Sequence, residues 1–313
     1  MVTVSIILTV AYSTYLTLST TCQLVVLYFI VFHSTKSLHL FRFLLAYNSI
    51  SQLIYAYGTF ITRTTFGSLD SLYEVRSYGL GRHLTGSACF FVYELAQVAS
   101  QTSTTAKVIT FDLKYLSVSR LFIAKSHIVW KAALFHTPVL LFIFVQLWIS
   151  WEMFVQPAIP ISPQLPADNE YLVVAYYSKL SIPASLTVPI MYFIALFPVP
   201  FSWYKRRGII RELDRTKTKI SASRRADHQQ FVMGLLLQAI IPTVVLVLST
   251  VLFYILTTYE TDIRMQQLHA ISVGFFSSFM DPLITLYSVN PYRKKLKSWM
   301  NTQTSDVRSF TTS

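Results

Sequence analysis

Four ionisable side chains, Glu94, Lys107, Asp112 and Asp281, fall inside stretches that are otherwise apolar. A charge at the centre of a bilayer costs about 2.5–3.5 kcal/mol on insertion scales, so each must meet a partner or a polar cavity. Gln97 and Gln101 follow Glu94 at i+3 and i+7, and on a helix all three project from one face, with Thr104 and Thr105 continuing the stripe inward. Glu94 would lie roughly 10 Å inside its helix. Two uses fit such a stripe. It can be one wall of a pocket for a small polar or cationic ligand, or it can hydrogen-bond neighbouring helices.

Further along the chain, His269 and Ser272 are one turn apart ahead of Phe275 and Phe276, and either line the same pocket or sit solvated near the headgroups. Tyr55, Tyr57 and Tyr254 fit a generic aromatic belt. Asp281 precedes Pro282, and Pro242 interrupts another apolar run. A helical proline lacks an N–H and displaces the carbonyl four residues earlier, here those of Ser278 and Gln238. Such points serve as hinges or as static kinks. Tyr287 follows Pro282 near the same helix end. Asp112, Lys114 and Tyr115 stand at the end of the run that contains Glu94, where Asp112 either pairs with neighbouring helices or is solvated. Lys107 either snorkels or pairs with Asp281.

The elements that carry these groups are membrane helices. Of the 313 residues, 53% are hydrophobic and 13% charged, against about 25% charged in soluble domains. At about 20 residues per crossing, seven or eight spans fit. Seven runs are expected at 4–32, 43–62, 87–113, 132–151, 181–204, 231–256 and 268–289. The first lacks preceding positive charge, which argues against a cleaved signal peptide.

Loop charge orients the bundle. The segments after odd-numbered spans, including the tail, hold twenty Lys and Arg, while the others hold five, against seven acids. By the positive-inside rule the amino end faces outside and the carboxyl end the cytoplasm. The expected fold is an all-α seven-helix receptor domain over 1–300, with an extended proline-containing loop at 152–171 and a disordered tail at 301–313. Positions 291–300 read as a short amphipathic helix on the inner leaflet, with Tyr292, Leu296, Trp299 and Met300 opposite a basic face. Ser and Thr in the tail offer phosphorylation sites.

Several function classes drop out. Two cysteines, Cys22 and Cys89, form neither a disulfide framework nor a metal cluster, and no cofactor is expected. No His-Glu-x-x-His, Gly-x-Ser-x-Gly or phosphate loop occurs, so the chain does not read as an enzyme. The formal charge of +12 lies at membrane loops, which points to lipid headgroups rather than nucleic acid.

Specific stretches narrow the class. Ser77-Tyr78-Gly79-Leu80-Gly81-Arg82 with Cys89-Phe90, Thr35-Lys36-Ser37-Leu38, His228-Gln229-Gln230 through Gln238-Ala239-Ile240-Ile241-Pro242, and Asp281-Pro282-Leu283-Ile284-Thr285-Leu286-Tyr287 through Pro291-Tyr292-Arg293 resemble the nematode serpentine chemoreceptors of class d (Srd). That family lies in the Str superfamily of seven-transmembrane G-protein-coupled receptors, and the resemblance runs over about residues 10–297. It implies a sensory receptor at the plasma membrane of chemosensory cilia that detects an external small molecule and signals to a heterotrimeric G protein.

On that resemblance Glu94, Gln97, Gln101, His269 and Ser272 are the ligand candidates. Gln238, Pro242, Asp281, Pro282 and Tyr287 are the switch, and Asp112, Lys114, Tyr115, Lys205, Arg206 and Arg207 face the G protein. Two departures stand out. Gly81 occupies the place of a family cysteine and the second outer loop has no cysteine, so Cys89 lacks an outer partner and the disulfide staple common in such receptors is absent. Lys114-Tyr115 stands where the family tends to carry Arg-Tyr, and lysine lacks the planar fork of arginine. A transporter or channel remains the rival reading, although no inverted repeat is visible. A receptor-like chain that no longer signals is a third.

Overall fold

The computed structural model describes residues 2–34, 39–69, 72–118, 125–154, 171–178, 181–215, 221–257 and 277–299. Seven long helices are α1 (Val2–Phe32), α2 (His39–Thr62), α3 (Gly86–Val118), α4 (Lys125–Phe154), α5 (Ile182–Leu196), α6 (Pro198–Arg215) and α7 (Ala222–Thr257). Two more helical runs follow, α8 at 277–288 and α9 at 290–299. Helices α5 and α6 form one passage: Phe197 N donates to the Phe193 carbonyl at 2.9 Å and Phe201 N to the Phe197 carbonyl at 3.3 Å. Their break falls where Pro198 lacks an N–H. Among the described residues the result is seven helical passages with α9 folded beneath them.

Four of these passages contain a segment long and apolar enough to cross a membrane on length and composition: Ile6–Phe32, Trp130–Ser150, Ser185–Arg215 and Arg225–Leu248. Helices α2 and α3 fall short because polar side chains occupy their inward faces. Asn48, Ser49, Ser51 and Gln52 on α2 are buried, and so is every residue of α3 from Thr105 to Lys114. Helix α3 is the central post, in contact with α2, α4, α5, α6 and α7. Outward faces carry exposed Ile7, Phe43, Leu140, Phe144 and Leu248, an inside-out pattern suited to lipid. Several helices run past their apolar segments, α3 to Val118 and α4 to Phe154, since backbone hydrogen bonding does not stop where hydrocarbon stops.

One end of the bundle carries a small antiparallel sheet ordered β1 (Thr64–Leu69), β2 (Leu72–Ser77) and β3 (Leu172–Ser178). Thr64 pairs with Ser77 and Leu69 with Leu72, and β2 meets β3 with an irregularity at Val75/Arg76. The sheet departs from the all-α expectation, as an addition to a helical fold. Its signal is the β-branched and aromatic content of Leu172–Ser178, a seven-residue stretch overshadowed by the long apolar runs around it. The proline segment expected to be extended lies mostly at 155–170, outside the described residues, as does the expected tail.

The sheet end is sealed by close approaches. Ser77 Oγ donates to the Thr62 carbonyl at 2.6 Å. A Cβ on Gly79 would lie 2.1 Å from the Ile61 carbonyl oxygen, and one on Gly81 would lie 2.7 Å from Cys89 Sγ. Position 81 is therefore the place in the α2–α3 connection that abuts Cys89, which is a buried free thiol. Val75, Cys89, Phe90, Val145, Ile149 and Val174 form an apolar cluster under this cap.

The opposite, basic end has a larger core that includes Phe29, Phe41, Phe111, Ile209, Phe231 and Tyr292. Tyr292 of α9 is fully buried, shares a 2.7 Å hydrogen bond with Ser34, and has its phenol pushed above its ordinary range by burial. Trp299 packs at 5.0 Å on Phe29. Helix α9 is thus anchored to α1 by its aromatic face.

Candidate functional site

A cavity of about 300 Å³ opens between α2, α3, α5, α6, α7 and the start of α8. Gln97, Ser100, Gln101, Thr104 and Lys107 of α3 form one wall, as a 3–4 residue spacing requires. Tyr192 and Ala195 face them from α5, and Gln238, Pro242 and Thr250 from α7. From Gln97 to Lys107 the wall descends about 15 Å along the helix axis. Its volume is at the small end of ligand pockets, about 300–1,000 Å³.

The sequence-derived ligand candidates divide. Gln97 and Gln101 line the cavity. Glu94, one turn nearer the sheet, is not among the lining residues, and its Oε2 is buried without a hydrogen-bond partner among the described residues. His269 and Ser272 lie outside the described residues. Tyr192 and Thr250 also line the cavity, and no local pattern marks them for it. They hydrogen-bond each other at 3.3 Å between α5 and α7.

At the cavity floor Lys107 forms a salt bridge with Asp281, and both are almost wholly buried. A polar network surrounds the pair. Gln52 donates to Ser103 at 2.5 Å, to Ser277 at 3.1 Å and to Asp281 Oδ2 at 3.5 Å, while Ser103 donates to Asn48 at 2.6 Å. Gln238 Nε2 donates to the Asp281 carbonyl at 2.9 Å and to Thr285 Oγ1 at 2.7 Å. The carbonyl of Ser278, displaced by Pro282, accepts from Gln23 Nε2 at 2.9 Å. Tyr15 and Ser278 add a 3.3 Å contact from α1. Gln23, Asn48 and Gln52 were missed in the sequence because uncharged polar residues in apolar runs are common.

Pro242 sits within α7 and lines the cavity one turn beyond Gln238. Gly234 of α7 has no room for a side chain: a Cβ there would stand 2.2 Å from Ser288 Cβ, so α7 and α8 touch backbone to side chain. Tyr287, by contrast, is exposed, and its carbonyl accepts from Gln230 at 3.1 Å.

At the basic end Asp112 is 2% exposed and holds two lysines, Lys131 of α4 and Lys205 of α6, each at 2.6 Å. Lys114 is buried between two rings, 4.8 Å from the Phe231 centroid and 5.4 Å from that of Phe41. Lys205 also lies 4.7 Å over Tyr115, whose ring abuts Gly208. Arg206 and Arg207 lie over Trp203. Among the described residues no cluster of three His, Cys, Asp or Glu side chains is placed to hold a metal.

A family model described as "Serpentine type 7TM GPCR chemoreceptor Srd" matches residues 8–298. Curated relatives from Caenorhabditis elegans agree. Serpentine receptor class delta-40 is 27% identical over 94% of this chain and 92% of its own length. Serpentine receptor class delta-47 is 25% identical over 95% and 94%, and class delta-48 is 26% identical over 94% of each.

Proposed function

The chain belongs to the Srd family of serpentine seven-transmembrane chemoreceptors, a receptor class and not an enzyme, and on that premise we propose that it detects an external small molecule in the Gln97–Lys107 cavity and signals to a heterotrimeric G protein. The observation that carries this reading is the cavity itself. It has a mixed polar and apolar lining, is of ligand size, and is bounded by α3, α5 and α7, so an occupant touches Gln238 directly together with the helices that lead to Asp112 and Lys205 at the basic end. In this reading the multi-pass protein sits in the plasma membrane of a chemosensory cilium, with its sheet end outside and its basic end in the cytoplasm. The loop-charge bias supports that orientation.

A ligand shifts a receptor only by binding one state better than the other. Pro242 and Gln238 are placed to make that difference, since Gln238 both lines the cavity and ties α7 to α8. Glu94 would stand toward the mouth, with His269 and Ser272 as further ligand contacts in this reading, and Pro282 and Tyr287 in the element that responds. The face of Lys114, Tyr115, Lys205, Arg206 and Arg207 would meet the G protein. Release of Lys205 from Asp112 would free α6 there.

The test is ligand-dependent nucleotide exchange on a heterotrimeric G protein reconstituted with the receptor. A response to a broad odorant panel that is lost in Ala195→Phe, which fills the cavity, is expected. A response unaffected by that substitution would sink the cavity as the site.

A further inference from the structure

We infer that the occupant of this cavity is a small organic acid whose carboxylate takes Lys107 from Asp281. The inference rests on the reading of the cavity as the ligand site and adds its chemistry. Among the described residues that line the cavity, Lys107 is the one charged group, and the polar remainder are amides and hydroxyls, among them those of Gln97, Gln101, Thr104, Gln238 and Ser277. Glu94, which could have favoured a cation, is not in the lining. Asp281 reaches Lys107 from behind and is itself outside the lining. Within the lining a cationic ligand would thus find an ammonium as its charged neighbour, whereas an acid would find an ammonium and neutral donors.

Charge balance favours the same class. An ammonium has three N–H donors and accepts more than one oxygen partner. An acid that enters with its proton can pass it to Asp281, becoming the carboxylate opposite Lys107 and leaving Asp281 neutral. The site keeps one positive and one negative charge throughout. Neutral Asp281 keeps the Gln52 amide at 3.5 Å and its backbone contacts to Gln238 and Thr285. What it loses is its ionic tie to α3, so binding chemistry at the cavity floor is converted into a loosened α3–α8 contact.

The experiment uses the full chain in lipid nanodiscs and thermal unfolding. Its probes are straight and branched monocarboxylic acids of graded length, each with its matched amide, methyl ester and amine. Acids, and not their derivatives, are expected to stabilise the wild-type receptor. In Asp281→Asn the freed ammonium should bind the same acids about tenfold or more tightly, since the ligand's carboxylate no longer competes with a buried carboxylate for it. The neutral double variant Lys107→Gln/Asp281→Asn, which leaves no buried unpaired charge, should lose the effect. Amines or amides that stabilise, with that effect abolished by Ala195→Phe, would overturn the acid assignment and leave the cavity reading intact. Acids that bind the double variant as well as they bind wild type would also overturn it. Probes whose effects are all indifferent to Ala195→Phe would overturn both.

Discussion

At the scale of single residues the decisive group is Lys107. Removing one member of a buried pair strands the other, at a cost of about 3–5 kcal/mol. Lys107→Met is therefore expected to lower thermal stability in detergent strongly, and adding Asp281→Asn should restore most of the loss. If the double variant is no better than the single one, the pair does not hold the floor of the cavity. Gln23 gives a second residue-scale prediction. Its amide satisfies the Ser278 carbonyl, so Gln23→Leu should cost about 1–3 kcal/mol by leaving that buried acceptor unpaired. Unfolding midpoints would show it, with the lipid-facing Ile7→Leu as the indifferent control.

At the scale of elements, packing is set by residues that have almost no side chain. Gly234 lets α7 lie against Ser288, and Gly234→Val should separate α7 from α8, lowering stability by about 1–3 kcal/mol through overpacking. Crosslinking yield between cysteines placed on the two helices would report the separation. Gly81 is similar. Gly81→Ala should destabilise the cap because its Cβ meets Cys89 Sγ, and Gly81→Ala/Cys89→Ala should recover part of the loss. Long charge-free runs such as that of α1 were plain in the sequence. So was the polar stripe Gln97–Gln101–Thr104, because helical spacing alone puts those residues on one face. The sheet and the tie from Gln52 to Ser277 depend on which distant segments meet, and no local pattern records that. Placing Glu94 beside the cavity rather than in its lining likewise required the rotation of α3 against its neighbours.

At the scale of the whole molecule the two ends differ in kind. The basic end is joined by contacts that can be exchanged one for another, notably the two lysines that share Asp112. In the proposed receptor, Asp112→Asn should raise ligand-independent nucleotide exchange several-fold by releasing α4 and α6 together. Unchanged or lower basal exchange in a well-folded variant would count against a restraining role. The sheet end is different. Arg63 leaves α2 with φ 42°, a left-handed conformation that costs about 1–3 kcal/mol for a residue other than glycine. Its side chain is held over Tyr12 and Phe60 and bonded to Thr9 at 3.1 Å. With β1 leading straight out of that corner and β3 pressed on α3 and α4, α1 to α4 are tied together at the sheet end. A bundle clamped at one rim behaves as a lever with a fixed fulcrum. In the proposed receptor, displacement begun at the level of Lys107 would then have little outlet upward and would be delivered to the far tips of α6, α7 and α8, where a small tilt becomes the largest travel.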